Sequence, residues 1–280
     1  VLLFELSVIL LFLWLRPLVG EPVSVLGCAV VLFLGSSVAD LIWAFQIGYF
    51  GSFAAGLGAL LLLRKARLGA DLLACLFLVI SLLFSSMAVP FAIAAAVQLL
   101  YRGSERPQPA VLFRRVWVFG APALLYIGWW LGWGQHADSS ISADNLLRMP
   151  VYVLSALGYA AASLTGLFSL RVLTTSYLWA IAGLAVAGGL ALLLRSRRRV
   201  PPEFLIAAAA GLALWALSAL NFMTGREFFS SRYQYPAVVF LLMMLAGAFA
   251  GLRPGRRELR YLKGLAAIAV VLNLAALFYG

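Results

Sequence analysis

Long apolar segments alternate with short polar turns along the whole chain. Most segments have about 16 to 20 hydrophobic residues, close to the length that an α-helix needs to cross the hydrocarbon core of a bilayer. The pattern predicts an all-α fold, a polytopic transmembrane helical bundle of about 10 spanning helices. Because the series continues from end to end, residues 1–280 are predicted to form a single transmembrane domain.

Two segments depart from this simple pattern. Residues 72–100 are too long for one span and are flanked by basic residues at both ends. We therefore expect a break at residues 85–90, where serine and proline occur, and a hairpin of two shorter helices. Residues 150–170 are rich in small and hydroxyl-bearing residues and are less hydrophobic than their neighbours. We expect residues 150–170 to form one re-entrant or interfacial helix.

The composition supports a membrane protein. Hydrophobic residues make up 64% of the chain and charged residues only 11%. A soluble domain has about 25% charged residues, so the soluble class is excluded. The few charged residues are therefore informative, because charge at a bilayer boundary is unfavourable without a partner or a ligand.

The net charge of +11 comes from basic residues that cluster in short turns. This clustering is typical of the positive-inside rule, and no basic face exists elsewhere, so nucleic acid is not an expected partner while membrane lipid is. If the basic turns are cytoplasmic, all but four of the 21 Lys and Arg residues lie inside. These turns are residue 16 and residues 64–67, 102–115, 195–199 and 253–263.

The first apolar run begins at Val1, without a charged n-region or a small-residue cleavage site. It is therefore not predicted to be a signal peptide. We expect the natural protein to continue upstream of Val1, and the alternative is an unusual start codon.

A polar segment at residues 225–236 lies between two apolar runs. Arginine binds phosphate or carboxylate through two parallel hydrogen bonds. Tyrosine offers a ring for stacking on a sugar and a hydroxyl for its oxygens. Arg226, Arg232, Tyr233 and Tyr235 are therefore candidate substrate-binding residues, and the alternative is an interfacial anchor of arginine and tyrosine.

A second polar group contains Asp40, Trp43 and Gln46, at the predicted outer end of two helices. Asp40 is a candidate general base or metal ligand, and Trp43 and Gln46 are candidate substrate-binding residues. The alternative is a helix cap with an aromatic belt. A divalent cation is one candidate cofactor, but the sequence assigns no metal-ligand set. Motifs of soluble hydrolases, zinc sites and P-loop proteins are absent.

Three segments together suggest a family. Residues 231–236 before an apolar helix, residues 43–52, and the predicted hairpin at 72–100 resemble bacterial integral-membrane glycosyltransferases of the C superfamily, of the protein-mannosyltransferase-like type. The overall pattern is similar to actinobacterial membrane proteins assigned there, and the resemblance covers most of the chain. It implies a multi-pass protein of the bacterial plasma membrane that uses a polyprenyl-phosphate-linked sugar on the outer face.

The resemblance also implies roles for individual residues. In that superfamily the catalytic acid follows the first helix on an external loop, so the base is expected upstream of Val1, in a first helix and loop that this chain lacks. Asp40 and Glu227 are the fallback candidates. Related transferases often carry a lysine at the hairpin tip, where this sequence has Ser86, which leaves Ser86 as a weaker substrate-binding candidate. By position, Arg232 is the leading candidate for the lipid phosphate.

Three functional hypotheses follow. A transferase would let an upstream carboxylate deprotonate the acceptor while Arg232 stabilises the departing phosphate. A lipid or polysaccharide transporter or flippase would show internal repeats and charged residues near the bilayer midplane, and no clear repeat is seen. A non-catalytic membrane scaffold would lose only stability when Arg232 is removed.

Overall fold

The computed structural model describes residues 1–37, 46–102, 106–136, 141–170, 175–197, 199–223 and 226–279. These ranges form α-helices and short 3-10 turns without a strand, which confirms the predicted all-α class and the helical bundle. The helices are α1 (Leu2–Val19), α2 (Glu21–Leu32), α3 (Ile47–Leu63), α4 (Leu68–Phe84), α5 (Ala88–Leu100), α6 (Pro109–Arg114), α7 (Trp117–Gly132), α8 (Ala143–Thr165), α9 (Ser176–Arg195), α10 (Pro202–Leu220), α11 (Ser231–Ala248) and α12 (Arg256–Tyr279).

Five of these helices are long and apolar enough to cross a membrane: α1, α8, α9, α10 and α12. Shorter apolar helices, α2 to α5 and α7, accompany them. Large hydrophobic side chains stay exposed along α7, α9 and α12, as expected for surfaces in contact with lipid. Length and composition therefore support a membrane-embedded bundle.

The predicted hairpin is present. Helix α4 ends at Phe84 and α5 begins at Ala88, so the break lies within the predicted residues 85–90. The Ser85 hydroxyl accepts a hydrogen bond from the Met87 backbone N–H at 3.3 Å, which satisfies a donor at the tip. A polar side chain at the break thus replaces part of the helical hydrogen bonding that is lost there.

Glycines of α3 receive aromatic rings of the hairpin. A Cβ atom added at Gly51 would collide with the Phe84 ring, and one added at Gly56 would collide with the Phe91 ring. Small residues at helix interfaces in membranes allow this close approach. The glycines therefore fix how α3 meets the hairpin.

A cluster of buried aromatic rings forms the centre of the bundle. Tyr235 of α11 packs edge-on against Phe50 and Phe53 of α3, with ring centroids 5.0 and 5.4 Å apart. Phe53 also contacts Phe91 of α5 and Phe240 of α11 at 5.0 and 5.2 Å. These separations lie within the favourable range for aromatic pairs. The cluster joins three helices whose ends reach the candidate site.

The basic turns meet at one end of the bundle. Arg64 donates to the Trp14 carbonyl at 3.2 Å, and Arg253 donates to the Leu18 carbonyl at 3.4 Å. Arg197 donates to the Ala250 carbonyl at 3.0 Å. Leu18 lies in the last turn of α1 and Ala250 just after the end of α11, where carbonyl groups have no partner within their own helix. The end that carries these turns is called the basic end.

A buried ion pair closes the base of the hairpin at the basic end. Both terminal nitrogens of Arg102 contact the Asp71 carboxylate, at 2.7 and 2.9 Å, and Asp71 is fully buried. Arg115 lies 3.5 Å from the same carboxylate. Asp71 therefore links the start of α4 to the second residue after α5 and to the turn before α7.

Helix α8 is one continuous helix over Ala143–Thr165, displaced from the predicted residues 150–170. Near its start, the Asn145 amide donates to the Leu220 and Phe222 carbonyls at 3.1 Å, at the end of α10. Near its finish, the Ser163 hydroxyl donates to Gln234 in the first turn of α11 at 3.1 Å. Both contacts lie opposite the basic end, because α10 begins and α11 finishes beside the basic turns.

Replacing Asp71 with alanine is predicted to destabilise the protein strongly. The substitution leaves Arg102, whose side chain is only 12% exposed, without its carboxylate, and breaking a buried pair in this way costs about 3–5 kcal/mol. The midpoint of thermal unfolding in detergent should fall by several degrees. The matched control is Asp144→Ala, which removes an exposed i,i+4 pair with Arg148 worth at most about 1 kcal/mol. Equal shifts for the two variants would contradict this role of Asp71.

Candidate functional site

The first turn of α11 divides the polar segment 225–236 between two environments. Arg232 and Tyr233 are half-buried and line a surface cleft, while Gln234 and Tyr235 are each only 1% exposed. Successive residues of an α-helix point about 100° apart, so four consecutive residues cannot share one face. One pair therefore lines the cleft and the other pair fixes the helix in the bundle.

The cleft lies opposite the basic end and has a volume of about 340 Å³. Four of the sequence-predicted substrate-binding residues line it: Arg226, Arg232, Tyr233 and Ser86. They come from the hairpin tip, the loop before α11 and the first turn of α11. The other lining residues are Tyr49, Met87, Val89, Pro90, Tyr126, Leu214, Leu217, Ser218 and Asn221.

The chemistry of this cleft is that of an anion site next to polar and aromatic groups. The Arg232 guanidinium lies over the Tyr233 ring, with its central carbon 4.9 Å from the ring centroid. Such a cation–π contact orients the guanidinium without consuming its hydrogen-bond donors. Arg226 supplies a second positive charge to the same cleft. Two guanidinium groups together suit the oxygens of a phosphate or carboxylate.

The backbone around Arg226 is held in place by hydrogen bonds from two neighbouring helices. The Tyr152 hydroxyl of α8 donates to the Arg226 carbonyl at 3.3 Å. The Gln234 amide donates to the Phe228 carbonyl at 2.6 Å, and the Phe228 ring is buried. With the Asn145 bonds to the end of α10, these contacts fix the described parts of the segment between α10 and α11.

Gln234 belongs to a buried polar network that reaches the last helix. Its carbonyl oxygen accepts from the Ser163 hydroxyl, and the Ser163 carbonyl accepts from the Asn273 amide at 3.1 Å. The Asn273 oxygen in turn accepts from the Gly35 backbone N–H at 2.9 Å. Buried polar groups away from water are stable only when they are paired in this way. The network therefore positions α8, α11 and α12 around the site.

Three predicted candidates lie outside the cleft. Tyr235 packs in the aromatic core, where its hydroxyl is hydrogen-bonded to Ser7; this position anchors α11 and does not face a ligand. Gln46 is fully buried, and its side-chain amide has no hydrogen-bond partner among the described residues. Glu227 is half-buried and accepts from the Ser230 hydroxyl at 3.2 Å. The remaining two predicted residues, at positions 40 and 43, lie outside the described ranges.

Some residues of the cleft were not found from the sequence. Tyr49, Tyr126 and Asn221 line it with the predicted residues. Tyr49 and Asn221 are polar side chains at the ends of apolar helices, and this position is the signal that could have selected them, whereas Tyr126 lies further inside α7. The same position is common for interfacial residues without a function, so only the fold brings these three together.

The described residues contain no group of three or more His, Cys, Asp or Glu side chains that could hold a metal ion. A second cationic cleft, of about 730 Å³, lies at the basic end beside Arg197 and Arg199, and it also contains Glu203. Basic residues at this boundary are typical of contacts with anionic lipid. The cleft at the opposite end differs in combining its arginines with tyrosine rings.

The chain matches no protein-family model, no curated protein and no solved structure. The chemistry of the cleft is therefore argued from its own residues.

Replacing Gln234 with leucine should loosen the segment that carries Arg226. The change keeps a side chain of similar size but removes the bonds to Phe228 and Ser163, and each buried group left without a partner costs about 1–3 kcal/mol. Cleavage by trypsin after Arg226, followed by mass spectrometry, should accelerate about tenfold, because proteolysis reports local opening. Gln98→Leu, which removes a buried bond to the Leu60 carbonyl far from the segment, is the control. Equal cleavage rates in both variants would show that Gln234 does not hold the segment.

Proposed function

We propose that this protein is a glycosyltransferase-like protein of the bacterial plasma membrane that takes a sugar from a polyprenyl-phosphate donor on the outer face. In this proposal the cleft holds the donor's phosphate. The supporting observation is that Arg226, Arg232, Tyr233 and Ser86, from segments far apart in sequence, line one cleft. Two positive charges with tyrosine hydroxyls and rings suit a phosphate that carries a sugar.

The topology of the proposal has ten crossing helices, with α8 along the outer interface. The contacts of Asn145 and Ser163 support it, because both ends of α8 bond to groups opposite the basic end. With α8 at the interface, every other helix except the short α6 alternates in direction, and the turns at the basic end all fall on the cytoplasmic side. The cleft then faces the outside.

The proposed reaction is an inverting displacement. The acceptor hydroxyl attacks the anomeric carbon, the bond from that carbon to the phosphate oxygen breaks, and the electron pair stays on the phosphate. Arg232 and Arg226 stabilise the resulting negative charge, which is the type of electrostatic stabilisation that lowers such barriers most. A carboxylate accepts the proton of the hydroxyl. Within residues 1–280, Asp40 and Glu227 are the fallback candidates for it.

Replacing Arg232 or Arg226 with glutamine should weaken binding of decaprenyl phosphate. Each substitution removes a charged donor, and hydrogen bonds to charged groups contribute about 1.5–3 kcal/mol, equivalent to at least about tenfold in the dissociation constant. Native mass spectrometry of the detergent-solubilised protein measures the bound fraction directly. The double variant should bind less than either single variant.

Arg148→Gln is the matched control for these variants. Arg148 is also an arginine at the end opposite the basic turns, but it is exposed, pairs with Asp144 and does not line the cleft. Binding in this variant should equal that of the unchanged protein. If Arg148→Gln weakens binding as much as Arg232→Gln, the interaction reflects general surface charge and the proposed phosphate site is wrong.

The outer-face assignment predicts a labelling pattern. In a background with Cys28 and Cys75 replaced by alanine, Ser86→Cys should react with a membrane-impermeant thiol reagent added to intact cells, because Ser86 is exposed at the cleft. Lys65→Cys, exposed in a turn at the basic end, should react only after permeabilisation. The reverse pattern would place the cleft in the cytoplasm and would rule out a donor on the outer face.

A further inference from the structure

The cleft at the basic end is built from the ends of three helices. The turn after α9 contributes Arg197 and Arg199, the start of α10 contributes Glu203, and Ala250 lies just after α11. The cleft has a volume of about 730 Å³. It therefore brings two positive charges and one negative charge together in a space large enough for a ligand.

The wall that carries Glu203 is held in place by the backbone. Pro201 and Pro202 precede it, and the proline ring fixes the backbone angle φ in the turn that leads into α10. A Cβ atom added at Gly247 of α11 would collide with the backbone of Glu203 and Phe204. The start of α10 thus lies directly against the last turn of α11, and the cleft needs little rearrangement to bind a ligand.

The two arginines offer hydrogen-bond donors to an anion. A terminal nitrogen of Arg197 donates to the Ala250 carbonyl at 3.0 Å, which anchors the guanidinium beside the cleft. A guanidinium has five N–H donors in a planar fork, so this bond leaves donors for a ligand. Arg199 lines the same cleft and is exposed. Two such groups suit the oxygens of one phosphate.

Glu203 makes this cleft different from a simple anion site. The residue is half-buried, and its carboxylate forms no ion pair within the part of the chain that the structure describes, although it interacts electrostatically with Arg64. A carboxylate in the cleft repels a ligand that carries only negative charge, and it accepts hydrogen bonds from an ammonium group. The cleft therefore favours a ligand with both charges.

We infer that this cleft binds the headgroup of an aminophospholipid, with the phosphate at Arg197 and Arg199 and the primary ammonium group at Glu203. A phosphoethanolamine group has about eight non-hydrogen atoms. If each takes at most the ~30 Å³ of a water molecule in the liquid, the group needs about 240 Å³ and fits the cleft. The inference concerns the basic end and does not depend on the proposed function.

The surroundings of the cleft indicate a lipid as the source of this headgroup. Val200 lines the cleft and is 37% exposed, and Phe249, next to Ala250 in the chain, is 42% exposed. Exposed apolar side chains beside basic turns are expected at the boundary of a bilayer, where acyl chains continue from the headgroups. The alternative is that anionic lipid is attracted by general positive charge, and such lipid would gain nothing from Glu203.

The test compares three dioleoyl lipids by native mass spectrometry of the detergent-solubilised protein: phosphatidylethanolamine, phosphatidylglycerol and phosphatidylcholine. The unchanged protein should bind phosphatidylethanolamine about tenfold more tightly than either of the others. Phosphatidylglycerol has no ammonium group, and the quaternary ammonium of phosphatidylcholine has no N–H to donate to Glu203. Equal binding of all three lipids would contradict the inference.

The variants separate the roles of the two charges. Glu203→Gln should weaken phosphatidylethanolamine about tenfold and leave phosphatidylglycerol unchanged or bound more tightly, because only the ammonium partner is lost. Arg199→Gln, at an exposed position that does not disturb the core, should weaken both lipids. Arg195→Gln is the matched control, since Arg195 is an exposed arginine at the end of α9 that does not line the cleft.

Two further outcomes would overturn the inference. If Arg195→Gln weakens phosphatidylethanolamine as much as Arg199→Gln, general positive charge binds the lipid. If free phosphoethanolamine binds as tightly as phosphatidylethanolamine, the ligand is a soluble zwitterion and the lipid assignment is wrong. A loss of phosphatidylethanolamine binding in Glu203→Gln, without a loss of phosphatidylglycerol binding, is the result that supports the inference.

Discussion

The arrangement of this site depends on the first turn of α11. A membrane-embedded helix can begin with polar residues only if each polar side chain finds a partner or faces an aqueous cleft. Gln234 and Tyr235 turn inward and bond to Phe228, Ser163 and Ser7. Their inward anchoring leaves Arg232 on the opposite side, at the cleft.

The packing around α11 also fixes the position of the hairpin tip relative to this helix. Glycines on α3 accept the rings of Phe84 and Phe91 from the hairpin, and the rings of Phe53 and Tyr235 then pack between α3 and α11. Since helices in lipid gain little from the hydrophobic effect between them, close packing and buried hydrogen bonds carry their association. The position of the hairpin tip, and with it one wall of the cleft, follows from this packing.

At the basic end, much of the charge is neutralised locally. Asp71 is fully buried between two arginines, and Arg253 and Arg197 donate to carbonyls at helix ends. The two ends therefore use arginine differently. At the basic end it closes helix ends and the hairpin base, whereas Arg226 and Arg232 line a cleft together with tyrosine rings.

Much of the fold could be predicted from hydrophobic periodicity. The helical class and the hairpin break after Phe84 both follow from local sequence. The sequence also placed Arg232 and Tyr233 at the start of a helix, because charge at a helix boundary is a strong local signal. It could not separate Tyr233 from Tyr235, since which face of α11 points inward depends on partners such as Ser7, far away in sequence.

The placement of polar residues inside apolar runs was harder to predict for the same reason. Asn273 and Ser163 form a network only because α8 and α12 meet near Gln234. Gln46 looked like an interfacial residue and is fully buried. Tyr49, Tyr126 and Asn221 reach the cleft through the fold alone. Nothing in their immediate sequence distinguishes a cleft wall from an aromatic belt.

The central claim is that one cleft, and not general positive charge, holds a lipid phosphate. The most direct measurement is photo-crosslinking with a polyprenyl phosphate that carries a diazirine beside the phosphate, followed by mapping of the labelled peptides. The account predicts labels at the hairpin tip around Ser86 and in the first turn of α11. Labels concentrated at the opposite end, around Arg197 and Arg199, would contradict it, because the phosphate would then be bound by the turns at the basic end.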